Sequence, residues 1–524
     1  MSVKKYLKEN FQQTRWAQDI IYEQSVDGDR GILPPETEAG VLSEIKDSWD
    51  IPPALKRKLR PNLPEVAQLY VLRHYTRLSQ MVFGNNVANN IGLATTTMKY
   101  SPLVNEELVR MKQVAEIHPE QDVRSLQGML EIVHGLEQAL KGISGLDHFC
   151  MQPGGGAAAI FTNAKIVKQF HADGGEGDQR TQIITTLNSH PANAAAAASV
   201  GFEVIHLPPG PAGYPDIEAL KAAISDETAG LMTTNPEDTG LFNPEIKEWT
   251  DLVHKAGGLC VHDQANANGV IGISRSREAG FDLCHFNLHK TFSIPHGSYG
   301  GGTGAVGVRN DLECYLPKPR ITFDGDKYDL DFDRPNSIGT VRSYLGNIQA
   351  QVKAFAWIMA LGEEGIRKVA EIAVLNNNYL TKKIAEIRGA SISFHPDNTD
   401  WRIEQTRFSW EELNRDTGID TEDIRNRIVD YGIQTYWPSH HPYTVPQPFS
   451  LEPTESVSKA DIDELIEVFT RVSEEAYKNP EIVQNAPHKS STAAVDPASF
   501  ADPPMSWRAY QRRRNSYNAD LSRL

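Results

Sequence analysis

The stretch GGLCVHD, Gly257–Asp263, is a short apolar run closed by an acid, and 27 residues after that acid the stretch NLHKTF presents Lys290. An apolar run of this length bounded by glycine reads as a buried strand. Working outward, similar runs occur at Gln182–Thr186, Glu203–Leu207, Gly230–Thr234, Gly258–His262 and Gly304–Val308. Segments of helical period lie between and around them, at Leu126–Gly142, Ala157–His171, Asp216–Ala223 and Glu245–Ala256. Strands alternating with helices of this length predict an α/β fold around a mostly parallel sheet. Such sheets gather their chemistry at the carboxyl ends of the strands.

The organisation expected around that sheet has four parts. Residues 1–104 alternate Pro-rich and polar stretches with one helical stretch, Leu69–Phe83, and read as an arm wrapping something larger. Residues 105–345 form the large domain. A long helical segment, Asn347–Leu361, bridges to a smaller α+β domain, 346–478. The tail, 479–524, is rich in Pro, Ser, Ala and Asn and is expected to be extended or partly disordered.

Composition narrows the function. Forty per cent hydrophobic residues permit a sizeable core, and a net charge of −16 opposes nucleic acid or anionic lipid as a main partner. The run Arg512, Arg513, Arg514 is too short to reverse this. Cys150, Cys260, Cys284 and Cys314 have no paired spacing, which argues against a disulfide scaffold or a four-Cys zinc site and fits a reducing compartment. No run nears 18 apolar residues, and the opening MSVKKYLKENFQQTRW has no apolar signal core. The expectation is a cytoplasmic protein without a membrane span.

Three parts of the sequence together fit pyridoxal phosphate. Its aldehyde needs a lysine amine, supplied by Lys290. Its pyridine nitrogen needs a carboxylate to stay protonated, supplied by Asp263. Its phosphate needs free amides at a helix start approached by small residues, supplied by Gly154, Gly155, Gly156 and Ala157 in MQPGGGAAAIF. Alone, each part is ordinary: a surface lysine, a strand-end cap, a glycine run. Lys290, however, lies in FDLCHFNLHKTFSIPHG, too apolar for a surface loop.

Further residues fit the same site. His190, with Asn193 in LNSHPANAAAAASVGF, either stacks on the cofactor ring or caps its helix. Asn235 or Thr239, in TTNPEDTGLF, either reaches the cofactor's phenolic oxygen or belongs to an ordinary turn. His285 and His289 are spaced as metal ligands on a helix would be, but they alternate with apolar residues as on a strand or turn. Neutral supporting roles follow for both, with His289 beside the cofactor, and no metal is expected. The run Gly302–Gly307 matches GxGxxG but precedes a strand where a dinucleotide loop must follow one. Ser-His-Asp catalysis has no nucleophile elbow to anchor it.

With these residues in place, the sequence resembles glycine dehydrogenase (decarboxylating), the P-protein of glycine cleavage, in its C-terminal or subunit 2 form. The likeness runs from LRHYTRLSQMVFG (Leu72–Gly84) and TMKYSP (Thr97–Pro102) through HDQANAN, FNLHKTFSIPHG, DFDRPNSIGTVRSYLGN and LEPTES (Leu451–Ser456) to PEIVQNAPH. It implies the type I fold of pyridoxal phosphate enzymes, with Lys290 as the Schiff-base lysine, Asp263 as the pyridinium partner and His190 matching the family's HGTN histidine. It also implies a small amino-acid substrate, glycine, which loses carbon dioxide before its aminomethyl group passes to a lipoyl H-protein. A companion subunit 1 and a homodimer or heterotetramer are implied as well. Arg342, in VRSYLGN, is a candidate for substrate carboxylate or cofactor phosphate, or else an ion pair tying helix to sheet.

The departures cluster near the site. The family's Ala-His-Gly-Glu is here Ala157, Ala158, Ala159, Ile160, and Tyr299 stands in a loop that the family builds from glycine. Asp-Gly-Ala-Asn has become Asp263, Gln264, Ala265, Asn266, and Tyr436–Phe449 carries the extra His440 and His441. A changed pocket keeps open a stand-alone decarboxylase, lyase or aminotransferase acting on another small amino acid.

Overall fold

The computed structural model describes residues 7–16, 18–32, 35–45, 52–58, 63–82, 88–89, 91–92, 97, 99–294, 301–397, 399, 401–434 and 438–491. Tyr299 and Tyr436 therefore lie outside the described residues. The chain divides into two compact units: Met1–Glu9 with Gly84–Asn485, and Asn10–Phe83 with Ala486–Leu524. In the second unit the expected helix runs Gln68–Gln80, and Gln13 binds the Lys489 carbonyl through its amide.

The first unit is built on a seven-stranded sheet. Its strands are β1 (His148–Cys150), β2 (Gln182–Thr186), β3 (Glu203–Leu207), β4 (Thr228–Thr234), β5 (Leu259–Gln264), β6 (Leu283–Asn287) and β7 (Gly304–Val308), in the order β1-β7-β6-β5-β4-β2-β3. Neighbours from β3 to β6 pair in parallel, and β7 runs antiparallel to both β6 and β1. The expected strands are found, and β1 and β6 are additions. A hairpin, β8 (Arg320–Phe323) with β9 (Tyr328–Asp331), follows.

Both faces of the sheet are covered, which is why its strands read as continuous apolar runs rather than alternating ones. Side chains two apart still share a face. On one face Ala159, Ile160 and Ile166 of the Gly156–Asp173 helix pack on Met232, Val261, Leu283 and Val306. On the other, Val133, Leu136 and Leu140 of the Gln127–Ser144 helix join Phe286, Ala305 and Trp357. Burying each of the Val, Leu, Ile, Phe and Met side chains among them stabilises by roughly 1.5–3 kcal/mol.

The helix Ile348–Ile384 continues past Leu361 through a kink at Gly362, whose φ of 63° suits glycine. It leads to a three-stranded antiparallel sheet, β10 (Ser391–Ile392), β11 (Thr406–Ser409) and β12 (Pro448–Leu451). Against that sheet pack Leu465, Val468, Phe469 and Val472 of the Lys459–Lys478 helix. The stretch after it is not extended throughout: Pro480–Gln484 forms a short helix with Pro at its first position, and Val483 is buried in the same cluster.

Candidate active site

Asp263 and His285 are register partners on β5 and β6, and Thr234 is the partner of Asp263 on β4. The period of two puts Val261 and Asp263 on one face, and Leu283 and His285 on that same face. The strand ends therefore present Thr234, Asp263 and His285 as a row. Asp263 Oδ2 accepts from Asn193 Nδ2 at 2.9 Å and from the Thr234 hydroxyl at 3.3 Å. Its Oδ1 accepts from the Ala265 amide at 3.0 Å and lies 3.2 Å from His285 Nε2. Burial opposes charge on this carboxyl, but His285, His190, the Ala265 amide and Lys290 outweigh it and bring it down to about 2. Burial lowers the His285 imidazole against the pull of Asp263, and its Nδ1 is buried without a partner. The result is a carboxylate that stays ionised.

Lys290 stands beyond β6 in the turn opened by Asn287, whose carbonyl accepts the Lys290 amide at 3.0 Å. Its side chain is buried, and burial lowers its ammonium against the pull of Asp263, Glu452 and Asp238. His190 precedes Pro191, the N-cap of the Ala192–Ser199 helix, and its Nδ1 accepts from the Ala192 amide, the first of that helix, at 3.0 Å. The same ring feels Asp263, Asp238 and Lys290, and burial lowers its basicity. His440 meets it edge-on, with ring centroids 4.7 Å apart at 73°.

The glycine loop leads into the Gly156–Asp173 helix, whose first-turn amides have no intrahelical partner. A Cβ on Gly156 would stand 2.7 Å from Asn287 Nδ2, and one on Gly154 would stand 2.9 Å from Arg342 Nη1. Arg342 thus lies against this loop. His289 is buried beside it, 3.8 Å from where a Gly155 Cβ would be, and its Nδ1 meets the Thr303 backbone. Ala157 is exposed at the helix start.

Local hydrogen bonds hold the turn after β4. The Asn235 side chain closes its own turn, accepting from the Asn243 amide at 2.8 Å and donating to the Asn243 carbonyl at 3.3 Å. Thr239 Oγ1 accepts from the Leu241 amide at 3.3 Å. These are the local bonds of an ordinary turn, and the one to Thr239 leaves its hydroxyl hydrogen unused. The apolar replacements Ala159 and Ile160 face the sheet core and not the pocket. Ala158, which stands where the family has His, is half-buried and outside that core.

Sequence reasoning missed the wall supplied by the small domain. Arg407 on β11 is buried; it donates to Thr444 Oγ1 at 3.1 Å, lies 3.6 Å from Asp238, and its Nε has no partner. Glu452, at the end of β12, accepts from Asn266 and Asn268, each at 2.7 Å, and from Thr97 at 2.8 Å. Burial pushes its carboxyl up to about 7. Asn287, with a buried unpaired Oδ1, was also not singled out. The LEPTES and NLHKTF motifs pointed at two of these residues; nothing local pointed at Arg407.

Glu237, beside Asp238 and Arg407, is likewise pushed up to about 7 by burial, from 4.5. A carboxyl raised in the folded state contributes stability that is complete below the unfolded value and lost as pH rises through about 7. Glu237→Gln is expected to remove this dependence. Urea unfolding should show the variant gaining on the parent between about pH 5 and about pH 8, by up to about 3 kcal/mol. Equal differences at both pH values would contradict it.

Tests of fit favour pyridoxal phosphate. The loop admits no side chain at Gly154 or Gly156, and a helix start of this kind can take an anion. Asp263 is ionised at the strand ends, Lys290 is buried nearby, and Asn193 Oδ1, Asn287 Oδ1 and Thr303 Oγ1 are buried without partners. Among the described residues no helix is long and apolar enough to cross a membrane.

Comparison with known proteins agrees with this arrangement. Residues 155–329 match the family described as aminotransferase class-V, and residues 369–493 match that described as glycine dehydrogenase, C-terminal domain. The chain is 42% identical over 514 residues to a probable glycine dehydrogenase (decarboxylating) subunit 2 of Pyrococcus horikoshii, covering 97% of this chain and 100% of that one. It is 38% identical to the protein of that name from Caldanaerobacter subterraneus subsp. tengcongensis, covering 93% and 98%. A crystal structure of glycine decarboxylase (P-protein) of the glycine cleavage system, in inhibitor-bound form, superposes with a TM-score of 0.66 at 18% identity, covering 84% of this chain and all of that one. A cysteine desulfurase of Escherichia coli gives 0.56 at 14% identity, covering 74% and 96%. Those two likenesses bear on fold alone, whereas the full-length identity carries the assignment: this chain belongs to the glycine dehydrogenase (decarboxylating) subunit 2 family.

Proposed function

We propose that the protein binds pyridoxal phosphate at Lys290 and decarboxylates glycine, passing the aminomethyl group to the lipoyl arm of an H-protein in company with a subunit 1. The observation that carries this reading is the convergence of an ionised Asp263, a buried Lys290 and an open glycine-loop helix on one sheet edge, in a chain of this family. When bound, the cofactor supplies the electron sink for the bond to the departing carboxylate.

The remaining chemistry belongs to the chain. Gly154, Gly155 and Gly156 leave room for the phosphate, and the Gly155, Gly156 and Ala157 amides with Arg342 and His289 would hold it. Asp263 keeps a proton on the ring nitrogen, because its own proton is lost near pH 2. Asn193 and Thr234 hold that carboxylate in place, as does His285 from β6. The lowered basicity of Lys290 leaves more of its Nζ as free amine, the form that attacks an aldehyde and later accepts or returns a proton. His190, steadied by the Ala192 amide and by His440, offers a ring face to the site. Arg407 supplies a buried cation with an unused Nε–H for a carboxylate.

An amino-acid panel tests the substrate. With pyridoxal phosphate bound, glycine alone among small amino acids should perturb the cofactor's absorbance and release carbon dioxide. Turnover of another amino acid, with glycine inert, would overturn the reading.

A further inference from the structure

A second buried lysine lies next to the first, and nothing above uses it. The Lys99 side chain is 1% exposed. Its Nζ donates to the Thr291 carbonyl at 2.6 Å and to Asn268 Oδ1 at 3.1 Å, and it stands 2.8 Å from Glu455 Oε1. An ammonium has three hydrogens, so this one is fully used. The Trp357 ring lies 4.8 Å from it.

The three partners come from distant stretches of chain. Thr291 directly follows Lys290, and its hydroxyl also accepts from the Ala267 amide at 3.0 Å. Asn268 belongs to the loop that leaves β5 after Asp263, and its Nδ2 donates to Glu452 Oε1 at 2.7 Å. Glu455 belongs to the LEPTES stretch after β12. The same stretch is tied back by Thr97 to Glu452 and by the Tyr100 amide to Ser456 Oγ at 3.2 Å. A plain structural ion pair would need Glu455 alone. Here two of three hydrogens go to the loops that carry the Schiff-base lysine and the acid for the ring nitrogen. The same contacts settle Glu452, whose carboxyl acts electrostatically on Lys290.

We propose that Lys99 is a positioning residue for Lys290: by holding the Thr291 carbonyl and Asn268 together it fixes the turn that aims the Lys290 amine and orients Glu452 towards it. The proposal rests on the cofactor reading above, and the two can fail separately. Wild-type protein that takes up no pyridoxal phosphate would break that reading.

The test uses the full chain loaded with pyridoxal phosphate. Borohydride reduction traps the cofactor on Lys290, peptide mass spectrometry gives the trapping rate, and visible circular dichroism reports how the bound ring is held. Lys99→Met should slow trapping by about tenfold or more and weaken the visible dichroism, since small displacements of a reacting group are costly. Glu455→Gln, which removes the ion pair and leaves the Thr291 and Asn268 contacts, should lower thermal stability while keeping both signals. If Lys99→Met does not fold, Asn268→Ala takes its place, with a smaller change in the same direction expected. Native trapping and dichroism in folded Lys99→Met or in Asn268→Ala would overturn the proposal. So would an equal loss in Glu455→Gln, because that outcome makes the role purely structural.

Discussion

Lys290→Ala is expected to abolish glycine turnover, by at least about a thousandfold, while leaving the fold intact. In the proposed reading the Lys290 amine bonds the cofactor's aldehyde, and the neighbouring Lys99 amine has its hydrogens taken by Thr291, Asn268 and Glu455. Backbone contacts of that turn survive the change, since the bond from the residue 290 amide to the Asn287 carbonyl does not involve the side chain. Removing a buried ammonium also removes a group whose charge is opposed by its surroundings. Far-ultraviolet circular dichroism should therefore match the parent while turnover is lost. Retained turnover in a folded variant would remove Lys290 from the chemistry.

Asp263→Asn is expected to keep the cofactor but lower the rate on the order of a thousandfold, because an amide cannot hold the proton on the ring nitrogen. It should also cost stability. The carboxylate accepts from Asn193, Thr234 and the Ala265 amide and is met by His285 Nε2. An amide offers one oxygen to these donors and turns its NH2 towards the rest, and each buried group left unpaired costs about 1–3 kcal/mol. Cofactor content by absorbance, rate, and urea midpoint measured on one preparation separate the two effects. A near-normal rate would show that the ring nitrogen has another partner.

Much of this arrangement could be read from local sequence. Asp263 closes an apolar run and Lys290 follows a second one, FDLCHFN, so period-two geometry alone sets Asp263 and His285 side by side once the strands are paired. The glycine run before a helix was equally legible, and the close approach of Asn287 and Arg342 explains why those positions are bare. The short strand β1 was missed because three residues give no periodicity to detect. Asn235 and Thr239 were singled out by their place after β4, and both make local hydrogen bonds within that turn. Ile160 marked a departure from the family pattern, but helix phase turns it into the apolar core.

The residues hardest to foresee come from far along the chain. His440 lies 250 positions from His190, and Arg407 reaches the turn that holds Asp238. Glu452 joins Asn266 across 186 positions. Periodicity speaks within one element, and pairing between elements this far apart leaves no mark on a single sequence. Lys99 belongs with them, since an isolated Lys in TMKYSP reads as surface until its three acceptors are seen.

Exchange of labelled bicarbonate into the carboxyl group of glycine tests the central claim most directly, first with the protein alone and then with lipoylated H-protein and a subunit 1 added. The arrangement of Asp263, Lys290 and the glycine loop predicts exchange that requires bound pyridoxal phosphate, increases with those additions and disappears in Lys290→Ala. No exchange under the full set of additions, from protein whose absorbance shows the cofactor in place, would contradict glycine decarboxylation.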